Sequence, residues 1–141
     1  MKTQLRVIFA FDFGLKHIGL AIGQEVTKSA NTFYSISASE GKPDFAKLDL
    51  LVEEWKPKLF VVGNPLNMDG TDSEIKKKND KFSNLIKTRY NIPVEYADER
   101  LTTKEAMARI GENKSYLKGS KMDKHSVSAQ IILESWFREK N

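Results

Sequence analysis

The chain contains no cysteine, few prolines and no long hydrophobic run. Its 141 residues include 4 prolines and 8 glycines. Without cysteine the protein cannot form a disulfide framework, a thiolate metal site or a thiol nucleophile. No apolar run approaches the roughly 20 residues of a transmembrane helix, and the first residues lack the apolar segment of a signal peptide. We therefore expect a cytoplasmic protein that has no membrane-spanning segment.

Size and composition predict a single globular domain over residues 1–141. Hydrophobic residues make up 40% of the chain and charged residues 30%, which is ordinary for a globular protein with one core. The net charge of +4, from 23 Lys and Arg against 19 Asp and Glu, permits nucleic acid as a partner without requiring it.

The first part of the chain is predicted to form three strands with short connections, as in an antiparallel meander. They are Arg6–Phe13, Ile18–Gln24 and Asn31–Ala38. Helix and strand patterns then alternate: a helix between Pro43 and Pro57, an apolar strand at 59–63, a helix over 71–89, a strand at 93–97, and helices at 102–112 and 123–138. This order predicts an α/β fold of ribonuclease-H-like type. Its mixed five-stranded sheet has three antiparallel strands, then two parallel ones, and helices on both faces.

Asp12 is the first candidate for chemistry. It interrupts an apolar strand near its end and is followed by Gly14. An ionised carboxylate in such a run is costly unless a positive group meets it, so Asp12 is placed to hold a divalent cation or a metal-bound phosphate. The alternative is an Asp that caps a hairpin turn.

A second group of candidates follows the last predicted strand and precedes the last helix. Asp98, Glu99 and Arg100 end that strand, and Asp123 and His125 lie near the start of the helix. Hydrolysis of phosphodiesters with metal ions requires several converging ligands. We expect Asp12, one of Asp98 and Glu99, and a ligand from the helix start to meet at the carboxyl ends of the strands. The alternative for Asp98 to Arg100 is a solvated charge cluster.

Four motifs in order, spread over nearly the whole chain, resemble the YqgF/RuvX family of Holliday-junction-resolvase-like nucleases, which is implicated in maturing pre-16S rRNA. They are Ala10–Gly14 with Ile18–Gly23, Gly63–Thr71, Asp98–Thr103 and Ser128–Ser135. The resemblance implies a nuclease that processes the 5′ end of precursor 16S rRNA and has ribosomal particles as partners. Branched DNA is the alternative substrate. The resemblance also favours Glu99 over Asp98 as the metal ligand.

The chain departs from this family at one position. The family usually carries an Asp three residues before the Ser128-Ala129 pair, and here His125 stands there. Imidazole suits Mn²⁺ or Zn²⁺ better than Mg²⁺. Either His125 takes over as ligand or Asp123 is brought in, and a weakened site is a third possibility. We expect a divalent cation, Mg²⁺ or Mn²⁺, with a preference for Mn²⁺ because of His125.

Nucleic-acid binding is assigned to polar and basic residues around these candidates. A cation in the first turn could neutralise phosphate charge, and amides near the second helix could hold a phosphate. For each of these residues the alternative is a solvated or locally hydrogen-bonded side chain. The residues assigned to nucleic-acid binding are Lys16, Asn67, Thr71, Arg100, Lys118 and Lys121.

Two other functions remain open at this point. The hairpin with Asp12 and Gly14 is also typical of ATP-binding actin-like proteins, but these use two lobes and 141 residues provide only one. The protein could also be a non-catalytic RNA-binding module with a decayed site, which the histidine at position 125 would favour. Oligomeric state is left open.

Overall fold

A six-stranded mixed sheet forms the centre of the protein in the computed structural model, which describes residues 6–64, 74–98 and 124–140. The strand order across the sheet is β4-β3-β2-β1-β5-β6. The strands are β1 (Val7–Asp12), β2 (His17–Gln24), β3 (Ser29–Ser39), β4 (Lys42–Pro43), β5 (Leu59–Asn64) and β6 (Val94–Asp98).

The directions of the strands confirm the predicted arrangement. β1 pairs antiparallel with β2, and β2 pairs antiparallel with β3. β5 runs parallel to β1, and β6 runs parallel to β5. The predicted five strands become six because Lys42 and Pro43 pair with the end of β3. The sequence pattern predicts the start of a helix at Pro43 in place of this short strand, whereas proline is tolerated at a sheet edge.

Three helices lie in the described part of the chain: α1 (Phe45–Trp55), α2 (Glu74–Tyr90) and α3 (Lys124–Glu139). The first begins after Asp44, whose side chain accepts a hydrogen bond from the Lys47 amide. Asp44 is thus the N-cap in place of Pro43. The predicted helix at 102–112 and the start predicted for α2 at residues 71–73 lie outside the described residues.

An aromatic core fills the face of the sheet that α1 and α2 cover. Phe9, Phe11 and Phe60 are fully buried there with Phe82 of α2. The rings of Phe11 and Phe82 meet edge to face, 5.4 Å between centroids. Each such buried ring contributes about 1.5–3 kcal/mol through the hydrophobic effect. Leu85 of α2 is 37% exposed, because the turn of the helix carries it past the core-facing stripe.

The opposite face of the sheet is covered by α3. Ile8, Ala10 and Ala21 of the sheet pack there against Ile132 and Leu133 of the helix. Successive side chains of a strand point to opposite faces. Odd-numbered Phe9 and Phe11 therefore face α1 and α2, whereas even-numbered Ile8 and Ala10 face α3. Helices on both faces were predicted and are confirmed.

The parallel strands bring three chain segments to one edge of the sheet. β1, β5 and β6 all end there, with Phe11 opposite Val62 and Asn64 opposite Asp98. This carboxyl edge is the place where ligands bind in open α/β sheets. Within the ranges that the structure describes, no helix has the length and apolar character needed to cross a membrane.

Candidate active site

Asp12 occupies the last position of β1, at the carboxyl edge. It lies opposite Gly19 of β2, and its side chain is half-buried. Alternation along β1 places Asp12 on the same face as Ile8 and Ala10, which pack against α3. A carboxylate is thus presented at the strand end beneath the start of α3.

The first turn of α3 is brought to Asp12 by a glycine. The backbone carbonyl oxygen of His125 lies 1.9 Å from the position that a Cβ atom on Gly19 would occupy. Any side chain at position 19 would therefore prevent this approach. Because Gly19 is paired with Asp12, the contact sets His125 beside the strand end that carries the carboxylate.

A second histidine completes this side of the site. His17, the first residue of β2, stacks its ring on the ring of His125, with 5.1 Å between centroids and 26° between the planes. His17 is exposed and His125 is half-buried. His17 was not among the predicted site residues, although alternation along β2 places it on the same face as Gly19 and Ala21. The signal was therefore present in the alternation of β2.

The turn between β1 and β2 carries Lys16 and is held by the neighbouring hairpin. The backbone oxygen of Lys16 accepts a hydrogen bond from the Ala38 amide at 2.8 Å. The oxygen of Leu15 accepts one from the Gly41 amide at 3.0 Å. Leu15 and Lys16 are both exposed. The turn that follows Asp12 thus carries an exposed cation on a backbone fixed by two hydrogen bonds.

β5 separates the ends of β1 and β6 at this edge. Neighbouring strands lie about 4.8 Å apart, so the backbones of the two outer strands are roughly 10 Å apart. The side chain of the buried Asn79 in α2 donates a hydrogen bond to the Gly63 carbonyl at 3.1 Å. The hydroxyl of Ser83 in turn donates to the Asn79 carbonyl at 3.0 Å. The first bond fixes α2 to the end of β5, whereas the second lies within α2; neither was predicted from the sequence.

Glu95 shares the α3 face but is engaged at the other end of β6. Its carboxylate accepts hydrogen bonds from the Lys140 ammonium at 3.0 Å and the Trp136 indole at 3.1 Å. These two bonds, the first above all, lower the pKa of Glu95. This carboxylate stabilises the end of α3 and is not a candidate ligand at the carboxyl edge.

The structure places only part of the predicted site. Asp12 and His125 are brought together at one edge, with Lys16 in the adjoining turn. Within residues 6–64, 74–98 and 124–140, no group of three His, Asp or Glu side chains is close enough to hold a metal ion. The other predicted site residues lie outside the described residues: Glu99, Asp123, Asn67, Thr71, Arg100, Lys118 and Lys121.

The amino-acid sequence matches one family model along almost its whole length. Residues 6–139 match the model of RuvX, described as Holliday junction resolvase. The chain belongs to the RuvX family. The resemblance to this family that the four motifs indicated is therefore confirmed.

Curated RuvX relatives cover the same length. A protein of Aeromonas hydrophila named "Putative pre-16S rRNA nuclease" is 48% identical over 134 residues, which span 95% of this chain and 96% of that protein. A protein of Buchnera aphidicola with the same name is 46% identical over 133 residues, 94% of this chain and 97% of that one. Identity at this level extends through both the described and the remaining parts of the chain.

Solved structures confirm the fold. Thermus thermophilus RuvC in complex with a Holliday junction substrate superposes with a TM-score of 0.61 at 17% identity, covering 96% of this chain and 95% of that one. A second Thermus thermophilus RuvC structure gives a TM-score of 0.58 at 15% identity, with 95% of each chain covered. This RuvX chain therefore has the sheet architecture of a resolvase.

Proposed function

We propose that this RuvX protein is a nuclease that hydrolyses phosphodiester bonds in precursor 16S rRNA. The observation that carries the proposal is the identity of 48% over 95% of the chain with a relative named for that activity. The position of Asp12 supports it, since this carboxylate stands at the edge where α/β sheets bind ligands. With this substrate, we propose a cytoplasmic location and precursor ribosomal particles as partners.

Asp12 and Glu99 are proposed as the carboxylates of the site. Glu95 and Ala97 of β6 lie on the α3 face, where they contact Trp136 and the apolar cluster around it. Alternation by two residues supports Glu99, rather than Asp98, as the next position on that face. Glu99→Gln is expected to abolish cleavage, whereas Asp98→Asn retains it. Loss of cleavage in Asp98→Asn alone would reverse this assignment.

The side chains proposed for the site are ligands that a divalent cation binds. Asp12 supplies carboxylate oxygens, and His125, whose backbone lies on Gly19 beside Asp12, supplies an imidazole nitrogen. Asp123 is the alternative third ligand. A bound cation would hold the phosphate, activate a water molecule and stabilise the leaving oxygen. We propose Mn²⁺ ahead of Mg²⁺, because Mg²⁺ prefers oxygen ligands to imidazole.

The nucleic acid is proposed to be bound through its backbone. Lys16 stands on the fixed turn next to Asp12, where its ammonium group can neutralise a phosphate beside the scissile bond. Arg100, Asn67, Thr71, Lys118 and Lys121 are proposed to extend this contact along the strand. Recognition of this kind follows shape more than base sequence.

Cleavage of defined substrates tests the proposal. Wild-type protein, Asp12→Asn and Glu54→Gln are incubated with precursor 16S rRNA, single-stranded RNA or a four-way DNA junction, each with Mg²⁺ or Mn²⁺. Glu54 is an exposed carboxylate on α1, on the far side of the sheet, and serves as the matched control. We expect wild type and Glu54→Gln to cut the precursor RNA and Asp12→Asn to leave it intact.

Other outcomes of this experiment would overturn the proposal. Cleavage of the DNA junction alone would favour the resolvase activity in the family description. No cleavage of any substrate with either metal would favour a non-catalytic RNA-binding module. ATP hydrolysis lost in Asp12→Asn would favour the nucleotide-binding alternative.

A further inference from the structure

We propose that His17 is a positioning residue that holds the imidazole of His125 in place by ring stacking. The inference rests on the proposed function, since that function gives His125 its role as a ligand at the Asp12 edge. It adds a residue that neither the sequence motifs nor the family match assigns. Its basis is the stacked geometry, 5.1 Å between ring centroids and 26° between ring planes.

His125 is held at two points by a single strand. Its backbone carbonyl lies against Gly19, which leaves no room for a Cβ. Its ring lies against the ring of His17, two residues earlier on the same face of β2. The first contact fixes the helix turn, and the second restricts rotation of the side chain. Together they determine where the imidazole nitrogens of His125 stand relative to Asp12, the partner of Gly19.

The geometry favours stacking over shared ligation for His17. A metal ion bound to imidazole lies close to the plane of the ring, about 2.1 Å from the nitrogen. The rings of His17 and His125 meet with 26° between their planes and 5.1 Å between their centroids, the arrangement of a stacked pair, and on this basis His17 is assigned to stacking. His17 therefore acts on the site through His125.

Stacking of this kind contributes by organising the ligand before the ion binds. A histidine side chain that is free to rotate must lose that freedom on coordination, and a neighbouring ring that already restricts it reduces this cost. Residues that orient metal ligands typically change metal affinity by 10- to 100-fold when they are removed. His17 is exposed, so its replacement is expected to leave the core intact.

The test compares His17→Ala, His17→Phe and Ser37→Ala. Ser37 is exposed and lies opposite His17 in the β2–β3 pairing, which makes it the matched control. The first measurement is Mn²⁺ affinity by calorimetry. The second is the proton NMR shift of the His125 ring in metal-free protein, where a stacked neighbour produces a ring-current displacement. Melting temperatures confirm that each variant is folded.

We expect His17→Ala to weaken Mn²⁺ binding roughly tenfold and to remove the displacement of the His125 ring signals. His17→Phe keeps a stacking ring without a nitrogen and is expected to retain both, as is Ser37→Ala. Unchanged affinity in His17→Ala would overturn the proposal. Equal loss in His17→Phe and His17→Ala would overturn it too, since His17 would then act through a nitrogen.

These readouts separate the inference from the proposed nuclease activity. If wild type cleaves no substrate but shows the expected pattern of Mn²⁺ affinities, the nuclease proposal fails and the role of His17 stands. If wild type cleaves precursor RNA and His17→Ala matches it in affinity and ring shifts, the role of His17 fails and the nuclease proposal stands.

Discussion

The carbonyl oxygen of His125 lies 1.9 Å from the point where Gly19 would carry a Cβ atom. This contact joins the first turn of α3 to the strand position opposite Asp12. It makes the absence of a side chain at position 19 a condition for the candidate site, because α3 can reach the carboxyl edge only over a bare backbone.

Gly19→Ala is therefore expected to destabilise the protein and to displace His125. The added methyl group must push the helix turn away, at a cost of about 1–3 kcal/mol in the free energy of unfolding. Gly23→Ala is the matched control, because a Cβ there meets the Ser29 carbonyl and the side chain of Leu133, farther along α3. Chemical denaturation should show losses in both variants, whereas Mn²⁺ affinity, measured where both are folded, should fall only in Gly19→Ala. Equal affinity in the two would contradict the proposed role of this contact.

Asn79→Ala is expected to weaken both the fold and the site. The substitution leaves the buried Gly63 carbonyl without the hydrogen bond from the Asn79 side chain, which costs about 1–3 kcal/mol. The lost hydrogen bond lies at the end of β5, which stands between the strands that carry Asp12 and Asp98. Urea denaturation and cleavage rates measure the two effects. Asn84→Ala, at an exposed position of the same helix, should change neither, and similar behaviour of the two variants would argue against this link.

Lys16→Ala is expected to weaken RNA binding and to reduce its dependence on salt. A lysine that contacts one phosphate contributes about one unit to the slope of log affinity against log salt concentration. Fluorescence anisotropy over a series of KCl concentrations gives that slope. Lys58, exposed just before β5 at the opposite edge of the sheet, provides the control as Lys58→Ala. A slope that stays at the wild-type value in Lys16→Ala would remove Lys16 from the interface.

Acid is expected to weaken the junction between α1 and α2. The Arg89 guanidinium donates to both carboxylate oxygens of Asp49, at 2.8 and 2.7 Å, and the Tyr90 hydroxyl donates to the same group. These hydrogen bonds, first that of Arg89 and then that of Tyr90, lower the pKa of Asp49 from 3.8 to about 2. A lowered pKa means that the ionised form is favoured in the folded state. The stabilisation is therefore present above pH 4 and is lost as the pH falls toward 2.

Asp49→Asn makes this dependence measurable. Its melting temperature should lie below that of wild type at pH 7, and the difference should shrink as the pH falls from 4 to 2. Glu53→Gln, an exposed carboxylate on the same helix, should follow wild type throughout. A difference that stays constant over this pH range would show that the charge of Asp49 does not stabilise the junction.

Periodicity in the sequence was sufficient for most of the fold. Apolar runs and alternation predicted β1, β2, β3, β5 and β6 to within a few residues, and helical spacing predicted α1 and α3. These signals are local, because they arise from the repeat of each element and from the burial of one face. The short β4 was missed, since its pairing with the end of β3 leaves no periodic signal in two residues.

The sequence also determined that Asp12 ends a strand beside a glycine turn. This segment is one of the four motifs that indicated the family. The tertiary structure decided what meets Asp12. A repeat in the sequence shows which residues share a face, but it does not show which distant element covers that face. For this reason the seating of His125 on Gly19, the stacking of His17 on His125 and the bond from Asn79 to Gly63 emerged only when β2, α2 and α3 were packed together.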